Sequence, residues 1–312
     1  MEELGKVLAS GKLSPAHAAR LRGKLYFTTT TSFQGVGRAA LQAFTARQYS
    51  KSRKTALDED LIVSIKFFIE LLHCLPPASF NLQDDARPPL YIWSDAMWEP
   101  KQTDTGGLVQ AVDEESGSTF FIAKACIAFT VFDSELRVWH KGEMEVGLET
   151  IRFMVPGKKT YIGQLEALAA AAVLYTLPDK LLRGRRAIMW IDNLAAKYGL
   201  QKGYSKVHDS GRIINAFRIK QASLGMRIWF EWVPSEQNIA DLPSRGKEAE
   251  LYRVFDAVAC VLSDGFWECY EYEVVMPDFS SWLAPLAQLR PAKRGGRSGS
   301  RGAKRAKRGG VE

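Results

Sequence analysis

The apolar positions of the first 85 residues recur at helical spacing. Leu61, Ile65, Phe68 and Leu72 follow one another in steps of 4, 3 and 4, which is one face of a helix. Asp58, Glu59 and Asp60 sit at its start, where negative charge suits the positive end of the helix dipole, and Pro76-Pro77 stops it. Upstream, Ser14-Pro15 reads as an N-cap followed by proline at the first helical position, opening a helix through Ala16, Ala19 and Leu25. A Gly/Thr-rich break over 28–37 precedes a further helix over 38–48. Beyond Pro88-Pro89 the pattern changes. Apolar runs at 90–93, 107–112 and 119–125 read as strands, the last two joined as a hairpin by Asp113-Glu-Glu-Ser-Gly-Ser. Residues 126–160 have no clear period, and 126–132 fit either a further strand or part of an insertion. An alanine-rich helix is predicted over 164–177, ended by Pro178. Then come a buried strand over 187–191, helices over 193–200 and 209–224, a strand over 227–233 and a loop-to-helix segment from Asn238.

This order predicts an α/β fold, a β-meander followed by β-α-β crossovers, giving a mixed sheet with helices on its faces. A helical module over 1–87 precedes it, and the α/β domain itself is expected to span 88–250. Residues 251–290 are rich in aromatics (Phe266, Trp267, Tyr270, Tyr272, Phe279, Trp282) and are expected to pack on the body as an extension. The Gly/Arg/Lys/Ser tail over 291–312 has nothing to bury and is expected to be disordered.

Composition narrows the setting. With 46% hydrophobic residues in 312, the chain has an ordinary globular make-up. No apolar run approaches the roughly 20 residues that span a bilayer, and the opening Met-Glu-Glu-Leu-Gly-Lys does not look like a signal peptide. Cys74, Cys126, Cys260 and Cys269 show no C-x-x-C pair and no histidine at zinc spacing. They are expected to be reduced, buried small hydrophobes of an intracellular protein, nuclear or cytoplasmic. The net charge of +7 resides in the tail, where eight Lys/Arg face one Glu, leaving 34 basic and 34 acidic residues in 1–290. A second bias lies in 1–57, with ten Lys/Arg against Glu2 and Glu3. The tail suits a solvating, nuclear-targeting or nucleic-acid role, and its Arg294-Gly-Gly and Arg308-Gly-Gly pieces lean toward the phosphate backbone.

Four carboxylates carry the candidate chemistry. Asp95 follows Leu90-Tyr-Ile-Trp-Ser, Glu166 lies in Ile162-Gly-Gln-Leu-Glu-Ala-Leu-Ala, Asp192 follows Ile188-Met-Trp-Ile, and Asp241 lies in Asn238-Ile-Ala-Asp-Leu-Pro-Ser-Arg. Two follow buried-strand runs and two sit near helix starts. In an open sheet, ligands bind beyond the carboxyl ends of parallel strands. If the strands ending in Asp95 and Asp192 are parallel neighbours, their carboxylates lie roughly 5 Å apart, with Glu166 aimed from a crossing helix and Asp241 from the rim. Buried acids need a counter-charge, and an all-oxygen set suits Mg²⁺ or Mn²⁺. Two such ions would activate water for attack on a phosphodiester. Asp241 has a plainer reading as a helix N-cap, a role for which Asn238 competes. Asp84-Asp85 reads as a polar turn, because Phe80-Asn-Leu-Gln does not fit a polymerase palm motif.

In this strand and helix context the four acids resemble those of ribonuclease H. More narrowly, Trp190-Ile-Asp-Asn-Leu-Ala-Ala and Asn238-Ile-Ala-Asp-Leu-Pro-Ser-Arg resemble the third and fourth acid motifs of the ribonuclease H-like domain in retroelement (retrotransposon) reverse-transcriptase polyproteins. The resemblance covers about 88–250, and the preceding helices are similar to those between polymerase and ribonuclease H in such polyproteins. It implies a five-stranded mixed sheet and hydrolysis of the RNA strand of an RNA–DNA hybrid with two Mg²⁺. Asp95, Glu166 and Asp192 would be the core catalytic metal ligands, Asp241 the peripheral one, with Ser94 and Asn193 behind them. The alternative is a relative that binds nucleic acid without cutting it. The loop Val233-Pro-Ser-Glu-Gln-Asn departs from the family in lacking a histidine, and His208 stands in another loop. His17, His73 and His140 are expected to have no catalytic role.

Overall fold

The computed structural model describes residues 1–50, 55–74, 87–152, 154–247 and 249–255. Four helices come first: α1 (Glu2–Ser10), α2 (Pro15–Thr31), α3 (Leu41–Gln48) and α4 (Glu59–Cys74). Ser14 caps α2 by accepting from the His17 N–H, with Pro15 at the first helical position. Leu61, Ile65 and Phe68 of α4 join Leu21, Leu25, Leu41 and Phe44 in one apolar core, since each helix has only one face to bury.

The α/β body follows: β1 (Leu90–Pro100), β2 (Gln110–Asp113), β3 (Ser118–Phe121), β4 (Ala123–Asp133), β5 (Val138–Glu145), α5 (Leu148–Ile151), α6 (Ile162–Thr176), α7 (Asp179–Leu182), β6 (Arg186–Ile191), α8 (Leu194–Lys202), α9 (His208–Leu224), β7 (Arg227–Trp232) and α10 (Asp241–Ser244). Five strands form one mixed sheet in the order β5-β4-β1-β6-β7. β1 pairs antiparallel with β4 and parallel with β6, and β6 pairs parallel with β7. The α/β class with a mixed five-stranded sheet is therefore as the sequence predicts.

Three details differ. β1 runs through Asp95 to Pro100 instead of ending before the acid, because its antiparallel partner β4 is equally long, 11 residues each. The hairpin β2-β3 is a separate two-stranded sheet inserted between β1 and β4, and the second edge of the meander is β5. The unassigned stretch 126–160 thus holds most of β4 and all of β5. Asp113 and Gly117, at φ 62°, close the inserted hairpin through Gly117 N to Asp113 O at 2.7 Å.

Alternation along β1 sends Leu90, Ile92 and Ala96 to one face, where α6 covers them with α9 packed behind it. Tyr91 and Trp93 point to the other face, with Trp139, Trp190, Ile239, Leu251 and Phe255. α6 is buried on nearly every side, and its alanines 167 and 169–172 let it pass close to both the sheet and α9. The helical module docks on α8 and α9 through the 33–38 loop: Gly37 N donates to Asn215 Oδ1 at 3.1 Å, and Arg38 Nη1 to Lys202 O at 3.0 Å.

Cys74 is exposed and Cys126 half-buried, both free, so the expected burial of the cysteines fails for Cys74. It lies in the last turn of α4, past the face that packs. Cys260 and Cys269, the aromatic extension beyond Phe255, the tail 291–312 and Asp84-Asp85 lie outside the described residues. Among the described residues no helix is long and apolar enough to cross a membrane.

Candidate metal centre

The parallel register of β1 and β6 ends at Ser94 opposite Ile191. The next residue on each strand is an acid, so Asp95 and Asp192 emerge side by side at the carboxyl end of that pair. α6, crossing the sheet between β5 and β6, brings Glu166 in from its second turn. One carboxylate oxygen each of Asp95, Glu166 and Asp192 lie within 4.8 Å of one another. Asp241, first residue of α10, is not in this group. Its Oδ1 accepts from Arg245 Nε at 2.6 Å, one helical turn on. Since Ala240 is the N-cap of that turn, Asp241 is not a capping residue.

Each acid is held by a different device. Asp95 is 2% exposed and accepts from the Ser244 hydroxyl and from Asn238 Nδ2 at 3.4 Å. The same Asn238 amide donates to the Ser94 carbonyl at 3.0 Å, tying the loop before α10 to β1. Asp192 accepts from the Ser235 hydroxyl, and its carbonyl accepts from Trp232 Nε1 at 2.8 Å. Glu166 is 3% exposed, and its Oε2 is buried with no hydrogen-bond partner among the described residues. Asn193, next after Asp192, caps α8 by accepting from Ala196 N at 3.0 Å. The Ser94 hydroxyl is buried, with no hydrogen-bond partner among the described residues.

The electrostatics follow from this crowding. Burial pushes the Asp95 carboxyl up to about 7, with the charges of Asp192 and Asp241 adding to it and the Ser244 hydrogen bond opposing it. Burial also raises Glu166 well above the usual carboxylate range, reinforced by Asp95 and Asp192 and opposed by the Ala96 backbone N–H. Arg245 is the cation that acts on Asp95 from nearby, and its guanidinium is engaged by Asp241. A divalent cation fits this set: three oxygens converge, one buried carboxylate oxygen lacks a donor among the described residues, and the ligands are all hard oxygens.

The sequence pattern missed the supports. Ser244, Asn238 and Arg245 all lie in the phrase that singles out Asp241, and Ser244 and Arg245 follow it at helical spacing of 3 and 4. That spacing is the signal that could have linked them. Ser235 carries no such signal. His208 opens α9 and meets Asp60 of α4 at 3.7 Å, so its partner is the helical module and not an acid of the cluster. His17 pairs with Glu3 at 3.0 Å.

No family model matches the chain, and no curated protein matches it. Among solved structures it is similar to RNase H1 from the halophilic archaeon Halobacterium salinarum, at 13% identity and a TM-score of 0.35, covering 52% of this chain and 99% of that one. It is also similar to the N-terminal RNase H domain of a Mycobacterium tuberculosis protein solved as a fusion with maltose-binding protein (13% identity, TM-score 0.34, 53% of this chain and 97% of that one). A foamy viral protease-reverse transcriptase in complex with RNA/DNA hybrid is similar over 64% of this chain and 27% of that one, at 8% identity and a TM-score of 0.31.

Proposed function

We propose that this chain is a ribonuclease H-type endonuclease, dependent on divalent metal and hydrolysing the RNA strand of RNA–DNA hybrids as part of a retroelement-derived protein. One observation carries the reading: the oxygens of Asp95, Glu166 and Asp192 converge within 4.8 Å at the carboxyl end of two parallel strands. Burying like charges together is unfavourable by several kcal/mol unless a cation or protons compensate them. A structural cluster would have an arginine or lysine seated among the acids; here Arg245 is engaged by Asp241 at the rim. The retroelement context rests on the motif phrases around Asp192 and Asp241.

Asp95, Glu166 and Asp192 would hold Mg²⁺ or Mn²⁺, with Asp241 as the outer ligand. A bound cation supplies Lewis acidity and a water made nucleophilic at neutral pH for in-line attack on a phosphodiester. The protein's part is to keep the oxygens converged. Ser244 and Asn238 orient Asp95, Ser235 orients Asp192, and the packing of α6 fixes Glu166. Asp241, half-buried at the start of α10, is paired with Arg245 and would turn inward to a cation by releasing it.

A labelled RNA–DNA hybrid tests this. The wild type should cut the RNA strand with Mg²⁺ and not in EDTA. Asp192→Asn should abolish cutting while hybrid binding in Ca²⁺ persists, because the amide keeps the shape and removes a ligand charge. Hybrid bound but uncut by the wild type in both Mg²⁺ and Mn²⁺ would make the chain a binding module and sink the enzyme reading.

A further inference from the structure

The helix that follows Asp192 carries a basic surface away from the acids. α8 packs on β7, α9 and α6, which leaves Leu194, Ala195, Tyr198, Gln201 and Lys202 on its solvent side. Its start adjoins the metal centre, since Asn193 caps it one residue after Asp192. The approach from the acids is apolar. Leu194 and Trp232 are each about half exposed, and the Trp232 indole N–H donates to the Asp192 carbonyl at 2.8 Å. Trp232 is the register partner of Ile191, whose core is also filled by Ala196 and Leu200, so it stands on the face of the sheet that α8 covers.

Two cations gather on Tyr198, further along the helix. Lys197 Nζ lies 5.3 Å from the centroid of its ring and Lys202 Nζ 5.5 Å. Neither lysine takes part in an ion pair among the described residues, whereas Lys6, Lys24, Lys158 and Lys220 each meet a carboxylate. The ring fixes where the two charges stand. It does not use them up, because an ammonium has three N–H donors and a ring face does not saturate them. Like charges drawn to one ring repel each other, and an anion between them relieves the repulsion. With a rise of about 1.5 Å per residue the two lysines stand about 7 Å apart along α8, roughly two phosphate steps of one strand.

We propose that Lys197 and Lys202, positioned by Tyr198, clamp the sugar-phosphate backbone of the hybrid where it leaves the metal centre. The clamp presupposes the ribonuclease H-type reading, which puts nucleic acid at Asp192. Continuity and charge choose the occupant. The exposed apolar surface of Leu194 and Trp232 adjoins the acids and suits the sugars of a bound strand, and the lysines beyond it supply the positive charge that the acids lack. Contacts of this kind fix the position of a strand without reading its bases.

The test uses the full chain and a labelled RNA–DNA hybrid in Ca²⁺, where binding is read without cutting, by anisotropy across a range of salt. Circular dichroism checks the fold of each variant. Lys197→Gln combined with Lys202→Gln should weaken binding about tenfold, the size that two exposed ion pairs allow. The slope of log K against log salt should flatten by about 1.8, for two phosphates no longer neutralised. Tyr198→Ala keeps both charges and should weaken binding several-fold, and Tyr198→Phe, which keeps the ring, should bind like wild type. Lys66→Gln, at an exposed position of α4, removes a charge elsewhere and should change neither affinity nor slope. Wild-type affinity and slope in the folded double variant overturn the clamp, as does an equal loss in Lys66→Gln. Cutting in Mg²⁺ separates the two readings. Wild type that binds through the lysines and never cuts ends the nuclease reading alone; a double variant that binds unchanged while wild type cuts ends the clamp alone.

Discussion

At the acid cluster, residue chemistry and residue stability pull in opposite directions. Asp95 titrates at about 7 in the folded metal-free chain, against 3.8 ordinarily. The folded state thus holds a proton that the unfolded state releases across that window. Stability linked to Asp95 is complete below the ordinary carboxylate pKa and is lost as pH rises through about 7. Glu166, raised by the same causes, adds to this trend. We therefore expect the chain in EDTA to melt at a higher temperature near pH 5 than near pH 8, and Mg²⁺ to narrow the gap. Asp95→Asn, which removes the buried charge and keeps the shape, should raise the EDTA melting temperature at about pH 8 by the equivalent of 1–3 kcal/mol and abolish the Mg²⁺ effect. A melting profile flat across that range would contradict the burial argument.

At the scale of elements, one buried ion pair holds the strands in place and one tight backbone contact seats the helical module on α8. Arg185, just before β6, is fully buried; it donates to Asp133 Oδ1 at 3.0 Å, to Glu135 Oε2 at 3.0 Å and to the Pro88 carbonyl at 2.8 Å. These bonds pin the start of β6 to the end of β4 and the entry to β1, and so set the parallel register that places Asp192 beside Asp95. Removing one partner strands the other: Asp133→Ala should destabilise by about 3–5 kcal/mol in urea denaturation. Replacing both Asp133 and Arg185 with apolar residues should cost less than Asp133→Ala alone. Gly203 ends α8 at φ 77°, and a Cβ there would stand 2.9 Å from the Gly35 carbonyl oxygen. Gly203→Ala should loosen the docked loop and destabilise more than Gly246→Ala, which has a similar φ of 71° but open space around it. Equal effects at the two glycines would mean that only backbone conformation matters.

For the whole molecule, charge is partitioned by region. The body over 1–290 is balanced, and the tail carries the net +7. If hybrid binding is as proposed, truncating 291–312 should weaken it similarly for unrelated sequences, because such contacts read backbone charge. With half of the eight cations engaged, the slope of log K against log salt should fall by roughly three. An unchanged slope would free the tail from nucleic acid and leave targeting as its role.

Local patterns in the sequence were enough for α2, α3, α4, α6, α8 and α9 and for the parallel strands, because those signals are periodic or bounded by caps and prolines. α4 shows its apolar steps, α2 its Ser-Pro cap, and Asp192 follows an apolar run that reads as a strand. What the sequence left open is long-range. β4 and β5 carry no distinctive period, since both faces of their central residues are buried and alternation disappears. The convergence of Asp95, Glu166 and Asp192 depends on placement of residues 26 to 97 positions apart, which only the sheet order and the crossing of α6 decide. The supports of the site, Ser235, Asn238 and Ser244, and the pairing of Arg185 with Asp133 are likewise tertiary. Single polar side chains have no periodicity, and their role exists only once packing has chosen their neighbours.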